Sequence, residues 1–432
     1  MTGAPAPAAT GHPPGLRTLF FTELWERFSY YGMRALLVLF LVDAGSGLGL
    51  DDQAATAIYG LYTAAVYIVA LPGGWIADRL LGAQRAVWIG GIVITIGHFT
   101  LALPATATFF AGLLCIIAGT GLLKPNISAV VGELYARNDP RRDAGFTLFY
   151  MGINLGAAMG PLICSTLGES ERFGWHYGFA AAGVGMLIGL VTYLYASPSL
   201  PPDAINTPEA RTHKPLTGEE RRAIGALIVL CVPVVLFWAT YEQQGNTIAL
   251  WADAHTDRSI GLLGWTAEIP VTWFQAFNPF MIFAFTPLIV GLWTRQNRRG
   301  REPSTLTKMA FGCFGVALAN VILAVGALQA GEVKTSWLWL FAYFVVITIG
   351  ELYLSPVSLS LVSKISPVRT VSLMMGVWLL TSFFGNFLAG FLGSFWSAMD
   401  KPTFFLLIAG IAAVAGAAIA VLRRPFRDLL ER

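Results

Sequence analysis

Residues 23–34 read ELWERFSYYGMR and lie inside the first long apolar segment of the chain. If this segment is a helix, its ionisable and tyrosine side chains share one face, which carries Glu23, Glu26, Arg27, Tyr30, Tyr31 and Arg34. Ionisable side chains are costly inside a membrane and usually face a partner or a water-filled cavity. This face is therefore a candidate functional site. A Glu23–Arg27 pair that only braces the end of the helix is an open alternative.

The composition indicates a membrane protein. Of the 432 residues, 55% are hydrophobic and 12% are charged, whereas about 25% would be charged in a soluble domain. Membrane lipid is the expected surrounding, and the small net charge of +3 gives no reason to expect a nucleic-acid partner. The four cysteines lie in apolar segments without metal-type spacing, so we expect packing residues with no bound metal and no disulfide framework.

Twelve segments are long enough to span a bilayer, which needs about 20 mainly apolar residues. They lie near residues 16–43, 53–77, 84–104, 106–135, 144–167, 173–196, 223–251, 270–294, 306–330, 336–364, 370–398 and 402–422. The pattern predicts an all-α integral membrane protein with twelve transmembrane helices. Residues 1–15 are rich in Ala, Pro and Gly and are predicted to be a disordered tail rather than a signal peptide.

The basic residues predict the orientation of these helices. With a cytoplasmic N-terminus, 21 Lys and Arg residues fall in cytoplasmic loops and 4 in external loops, with 3 of the 28 inside the membrane. Cytoplasmic loops of membrane proteins carry an excess of Lys and Arg. The distribution therefore predicts that both termini are cytoplasmic. The same distribution supports an even number of membrane crossings, because one crossing more or fewer would place the later basic loops on the wrong side.

The chain is predicted to consist of two halves. A Pro-rich cytoplasmic linker, residues 197–222, separates an N-terminal six-helix bundle at 16–196 from a C-terminal bundle at 223–432. Arginine-rich loops occupy matching places in both halves, at 74–85 and 291–301. Two parallel six-helix repeats place a substrate site at their interface near the midplane of the membrane. The first loop resembles the conserved cytoplasmic loop of the major facilitator superfamily.

Three further ionisable residues interrupt apolar segments: Lys124, Glu242 and Glu351. Lys124 precedes a proline in a glycine-rich stretch, which favours a gating role, with a lysine that snorkels to the membrane surface as the alternative. Two buried amides, Asn154 and Asn278, would need hydrogen-bond partners.

Counting charges in the predicted membrane interior leaves one excess negative charge. The positive residues are Arg27, Arg34 and Lys124, and the negative ones are Glu23, Glu26, Glu242 and Glu351. One bound proton would neutralise this set, because unpaired charge is disfavoured in low dielectric. A transported proton gains about 2.3 kcal/mol per 100 mV of membrane potential. The sole histidine deep in a segment, His98, is more typical of a satisfied core residue than of a proton relay.

Together these motifs resemble the proton-coupled oligopeptide transporter (POT) family of the major facilitator superfamily. The resemblance runs through both halves and rests on residues 23–32, 73–78, 119–126, 149–156, 237–245, 278–279 and 350–351. It implies a proton-coupled symporter that imports di- and tripeptides by alternating access across the bacterial cytoplasmic membrane, without a cofactor other than the coupling proton. Many bacterial members carry two extra helices between the halves, and residues 197–222 are too short to hold them.

The resemblance also implies roles for individual residues. The peptide carboxylate is expected at Arg27, Arg34 and Lys124, and the amino terminus and amides at Asn154, Asn278 and Glu351. Protonation is expected at Glu23, Glu26 and Glu242 beside Arg27, with Glu242 exchanging partners between Lys124 and Arg34. The side-chain pockets are expected to be lined by Tyr31, Tyr67, Trp238, Trp378 and Ser382.

Two other functions stay open on the sequence. A transporter of the same fold could carry nitrate or another small anion, although a carboxylate such as Glu351 beside two asparagines favours a ligand with an amino group. A multipass membrane enzyme is less favoured. Such an enzyme needs a clustered catalytic set, whereas the buried acids here are dispersed over several segments.

Overall fold

The computed structural model describes residues 11–135, 142–200, 217–262, 265–331, 333–366 and 371–430. Residues 1–10 of the predicted tail and 201–216 of the predicted linker lie outside this part. Helix α1 begins at Pro14, inside the predicted tail, because proline is well suited to the first turn of a helix. Helix α8 begins at Gly218, where Thr217 and Glu220 form a reciprocal capping box.

Twelve helical segments pack as two six-helix bundles, as the sequence predicts. The first bundle contains α1 (Pro14–Val42), α2 (Asp52–Ile68) continued by α3 (Ala70–Ile76), α4 (Ala83–Leu101), α5 (Thr106–Glu133), α6 (Arg142–Gly168) and α7 (Trp175–Ala196). The second contains α8 (Gly218–Tyr241) continued by α9 (Thr247–Ala254), α10 (Trp273–Arg298), α11 (Thr305–Ala330), α12 (Trp337–Ile365), α13 (Val371–Gly393) and α14 (Lys401–Leu430). In the described residues, ten helical spans are long and apolar enough to cross a membrane, and α1 and α4 complete the bundles.

Two of the predicted helices are interrupted. The first is broken at Val69, between α2 and α3, and is extended by a π-helical turn, Ala77–Leu81, that ends at Gly82, whose φ of 84° favours glycine. Between α8 and α9 lies a 3₁₀ turn, Glu242–Gly245. Irregular backbone at membrane depth is tolerated where it is buried in protein or lines a cavity. The second interruption carries one of the predicted site residues.

Four short strands, which the sequence did not predict, lie in loops between the helices. Strand β1 (Thr256–Asp257) pairs in parallel with β4 (Thr335–Ser336), and β2 (Ser259–Leu262) pairs antiparallel with β3 (Trp265–Glu268). The sequence of β2 and β3 is too short to show a strand pattern. We name the side where α1 begins and α14 ends the terminal face, and the side with these strands the opposite face.

The bundles meet along two seams, α2 against α13 and α6 against α10. At the first seam, a Cβ atom added to Gly60 would lie 2.3 Å from the Cα atom of Gly390. Small residues allow helices to approach this closely within a membrane. Both residues lie on the portions of their helices nearer the opposite face. The seam is therefore closed there.

The structure locates the four cysteines and His98. All four cysteines are free, and Cys164 and Cys313 are buried. His98 is completely buried, as predicted for a core residue. Neither of its ring nitrogens has a hydrogen-bond partner among the described residues, so the expectation that it is satisfied is wrong.

Candidate functional site

A cavity of about 200 Å³ lies between the two bundles. Eight of the predicted site residues line it: Tyr31, Arg34, Tyr67, Asn154, Trp238, Glu242, Asn278 and Glu351. These residues come from α1, α2, α6, α8, α10, α12 and the 3₁₀ turn. Side chains that are far apart in sequence thus meet at the bundle interface, where the two-repeat pattern predicts a binding site.

Helix α1 holds a buried cluster of three charges. The Nε atom of Arg27 lies 3.2 Å from Oε1 of Glu23 and also donates to Oε2 of Glu26. All three residues are at most 4% exposed. Among the described residues, Nη2 of Arg27 and Oε2 of Glu23 lack hydrogen-bond partners. The cluster is buried and lies well inside α1, which runs from Pro14 to Val42, so it does not brace an end of this helix.

Lys124 of α5 packs beside this cluster. Its Nζ atom lies 4.2 Å from the ring centroid of Tyr67, which is a cation–π geometry. Lys124 also interacts Coulombically with Arg27, which repels it, and with Glu26 and Glu23, which attract it. A lysine that reaches the membrane surface would not pack in this way. The alternative of a snorkelling lysine is therefore not what the structure shows.

Arg34 connects the two bundles. Its Nη2 atom donates to Oε2 of Glu242 in the 3₁₀ turn, and its Nε atom donates to the hydroxyl of Tyr59 at 2.7 Å. Gly245 lies in the same turn, and a Cβ there would be 1.9 Å from the Tyr59 hydroxyl. The turn can thus approach α2 only because residue 245 is glycine. Of the two predicted partners of Glu242, Arg34 is the one engaged.

Glu351 of α12 lies in a network within the second bundle. Its Oε2 atom accepts hydrogen bonds from the Tyr241 hydroxyl at 2.5 Å and from Nδ2 of Asn278 at 2.8 Å. The same Asn278 nitrogen lies 3.0 Å from the hydroxyl of Thr348. Both bonds to Glu351 reach one carboxylate oxygen. The network fixes the orientation of this carboxylate at the cavity wall.

The remaining predicted residues differ in their relation to the cavity. Asn154 donates from Nδ2 to the backbone oxygen of Tyr150 at 3.0 Å, and Trp238 packs edge-on against Tyr241 at a centroid distance of 5.5 Å. Glu23, Glu26, Arg27 and Lys124 are not among the residues that line this cavity. Trp378 and Ser382 on α13 are buried, at 4% and 8% exposed, and do not line it either. Their predicted place in a side-chain pocket stays a prediction.

The sequence reading did not include several residues that line the cavity. These are, among others, Tyr150, Tyr241, Gln244 and Gln275. Tyr241 and Gln244 flank Glu242 closely in sequence, so the local motif could have indicated them. For Gln275 the sequence carries no such signal, because it lies in the first turn of a helix whose rotation depends on its neighbours.

This arrangement can hold a ligand with two opposite charges. The guanidinium of Arg34 from the first bundle and the carboxylate of Glu351 from the second line one cavity, and the seam between α2 and α13 is closed toward the opposite face. Two six-helix bundles with a polar site between them define a membrane transporter of the major facilitator fold.

Comparison with known proteins identifies the family. A family model described as the POT family matches residues 84–204 and 204–407. A curated relative from Bacillus subtilis, the uncharacterized transporter YclF, is 36% identical and covers 95% of this chain and 94% of its own length. The di-/tripeptide transporter of Lactococcus lactis subsp. cremoris is 35% identical over 97% of both chains.

A solved structure agrees with this result. The crystal structure of a POT family transporter in complex with 5-aminolevulinic acid is 32% identical, covers 98% of both chains and superposes with a TM-score of 0.90. This chain therefore belongs to the POT family. The curated family members are transporters, so the chain is a transporter and not an enzyme.

Proposed function

We propose that this protein imports di- and tripeptides together with protons by alternating access. The observation that carries the proposal is the presence of opposite charges at one cavity, with Arg34 of the first bundle and Glu351 of the second at its wall. A short peptide is a zwitterion whose carboxylate suits a guanidinium and whose amino group suits a carboxylate. Membership of the POT family supports the same substrate class.

The carboxylate end of the peptide is assigned to Arg27 and Lys124. Nη2 of Arg27 lacks a hydrogen-bond partner among the described residues, and a carboxylate ligand would supply one. The amino group is assigned to Glu351, with Asn278 and Asn154 as amide partners. The cavity of about 200 Å³ is smaller than the 300–1,000 Å³ typical of ligand pockets. Neither Arg27 nor Lys124 lines it, so we infer that the bundles separate as a peptide enters and that the cavity then extends to both residues.

Proton coupling is assigned to Glu23, Glu26 and Glu242 with Arg27. The Arg34–Glu242 ion pair joins the bundles, so it has to break when they separate. A proton on Glu242 would remove the charge that holds Arg34. Protonation of this carboxylate would thereby favour separation, and its deprotonation would restore the pair.

The orientation completes the proposal. The excess of Lys and Arg in the loops on the terminal face assigns that face to the cytoplasm of a bacterial cell. Both termini would then be cytoplasmic, and the opposite face, which carries the four strands, would be external. In this assignment the structure is closed toward the outside.

The experiment is uptake of a labelled dipeptide into proteoliposomes that contain the purified protein. Accumulation should occur with an inward proton gradient and a negative internal potential, and should disappear when an ionophore removes both. Excess unlabelled dipeptide should compete, whereas nitrate should not. Competition by nitrate with no peptide uptake would contradict the proposal and favour an anion transporter, with Arg27 and Lys124 binding an inorganic ion.

A further inference from the structure

A single carboxylate connects the two bundles at the opposite face. Glu169 follows directly after the end of α6 in the first bundle, and its carboxylate accepts three hydrogen bonds from residues that precede α10 in the second. Oε2 accepts from the backbone nitrogen of Val271 at 2.8 Å, and Oε1 accepts from the backbone nitrogen of Thr272 at 3.1 Å and from its hydroxyl at 2.7 Å. These bonds cross from one bundle to the other.

The carboxylate acts as a helix cap supplied by another part of the chain. The first N–H groups of a helix have no partners within the helix, and negative charge is favourable at its N-terminus. The N-cap residue of α10, Thr272, makes no capping bond with its own side chain. Its hydroxyl donates to Glu169 instead. The start of α10 is thus satisfied by a side chain from the other bundle.

The charged groups around Glu169 have other partners. Asp43, Asp253 and Arg258 line a cavity of about 390 Å³ together with Glu169. Arg258 lies 2.8 Å from Oε1 of Glu268 and 3.9 Å from Oδ1 of Asp253, and Asp43 accepts a hydrogen bond from Trp175. Arg258 also attracts the carboxylate of Glu169, but its ion pairs lie within its own bundle. The direct bonds of Glu169 to the second bundle therefore come from Val271 and Thr272.

We propose that Glu169 is the latch that closes the external side of the transporter in each cycle. The inference rests on the proposed function, because a latch needs bundles that rock apart. Opening toward the outside separates α6 from α10 and exchanges all three bonds for water. Glu169 therefore acts on the equilibrium between outward-open and outward-closed states, and does not contact the peptide.

The test measures that equilibrium by the distance between two spin labels. Leu103→Cys in the first bundle and Val333→Cys in the second place labels on exposed positions of the opposite face, in a background that lacks the native cysteines and still transports. Glu169→Ala should raise the ratio of long to short distances about tenfold, since several bonds to a charged group are lost. Glu169→Gln keeps one acceptor oxygen and buries no charge, so its ratio should stay closer to the wild-type value.

Matched variants separate the latch from general effects. Glu171→Gln removes a neighbouring exposed charge of the same loop and should behave like the wild type. Thr272→Val removes one of the three bonds and should give a partial shift, which keeps the proposal testable if Glu169→Ala does not fold. The wild type could show both a long and a short distance while every Glu169 and Thr272 variant keeps the same ratio of long to short distances. That result would overturn the latch and leave the proposed function standing. If the wild type shows a single distance that neither a dipeptide nor a proton gradient changes, the bundles do not rock apart. That result would overturn the proposed function and the latch together.

Discussion

Arg34 on α1 donates a hydrogen bond to Glu242, which lies in the turn between α8 and α9, so one buried ion pair joins the two bundles. The Nε atom of the same guanidinium donates a hydrogen bond to the hydroxyl of Tyr59 at 2.7 Å. Removing one partner of a buried pair leaves an uncompensated charge and costs about 3–5 kcal/mol. In the proposed mechanism the pair holds the bundles together while Glu242 is ionised, and a proton on Glu242 releases them.

Glu242→Gln should abolish uptake against a gradient and leave counterflow exchange of peptide in place. The neutral amide cannot carry a proton, although the cavity that it lines keeps its shape. Gradient-driven uptake and counterflow measured on the same vesicles check this. Glu302→Gln is the matched control, because Glu302 is also in an ion pair, 2.5 Å from Lys308, but does not line the central cavity. Full accumulation by Glu242→Gln would remove Glu242 from the coupling set.

Arg27→Lys should lower the affinity for a dipeptide by about 10- to 100-fold, the range expected when hydrogen bonds to a charged group are lost. Lysine keeps the positive charge beside Glu23 and Glu26, so the fold should be retained, but it lacks the planar fork of the guanidinium. Isothermal titration with a dipeptide is the measurement. Arg17→Lys, at an exposed position of the same helix, should bind normally. An unchanged affinity in Arg27→Lys would refute the assigned role.

Glu351→Gln should weaken binding of a dipeptide with a free amino group by about tenfold. Binding of the same peptide with an acetylated amino group should change little. The amide oxygen of glutamine can still accept from Tyr241 and Asn278, so the network around it is largely kept. Competition of both peptides against a labelled dipeptide gives the two affinities. Equal losses for both would show that Glu351 does not recognise the amino group.

Gly60→Ala should slow transport strongly, because the added methyl group would lie 2.3 Å from the Cα atom of Gly390 and keep α2 from closing against α13. Gly225→Ala in α8 is the matched control, since a Cβ there meets nothing within 4 Å. Both changes replace a glycine in a helix, so helix propensity favours both variants alike. Initial rates of dipeptide uptake compare them. Similar rates in the two variants would show that the contact is not needed.

The external pH should also affect closure through Glu169. Burial raises the pKa of this carboxyl above its usual 4.5 and outweighs the bonds from Thr272 and Val271 and the positive charge of Arg258, which act in the opposite direction. Opening exposes it to water and lowers the pKa again, so the closed state binds the proton more tightly. Closure should therefore strengthen as pH falls through the raised pKa and level off below about 4.5.

Spin-label distances at a series of external pH values test this dependence. Glu169→Gln should remove the part of the pH response that Glu169 causes, because glutamine does not titrate. Asp43, Asp253 and Arg258 face the same cavity and stay unchanged in this variant. A response of the same size in the variant, or weaker closure at low pH in the wild type, would contradict the prediction.

Much of the fold could be predicted because its signals are local. Each spanning helix needs a run of apolar residues whose length is set by the bilayer, and a run is visible wherever it lies in the chain. Charged residues such as Glu23 and Glu351 stand out within such runs for the same reason. The interruption at Glu242–Gly245 was less visible, since apolar residues continue beyond it.

The partners of these residues could not be predicted from spacing alone. Within α1 the spacing is consistent with Arg27 pairing with Glu23, and it does. Arg34 lies on the same face of α1 but pairs with a residue 208 positions away. Trp378 and Ser382 were expected at the cavity and are not among the residues that line it, because helix rotation depends on packing against neighbours.

The sequence by itself determined the membrane location, the twelve helices and the residue types that carry charge inside the bilayer, because each depends on the local balance of apolar and ionisable side chains. Only the tertiary structure decided which charges meet. The Arg34–Glu242 pair, the Glu351 network and the three bonds of Glu169 all depend on how distant helices are placed against one another. The relative position of two bundles is a property of their packing, and no local pattern records it.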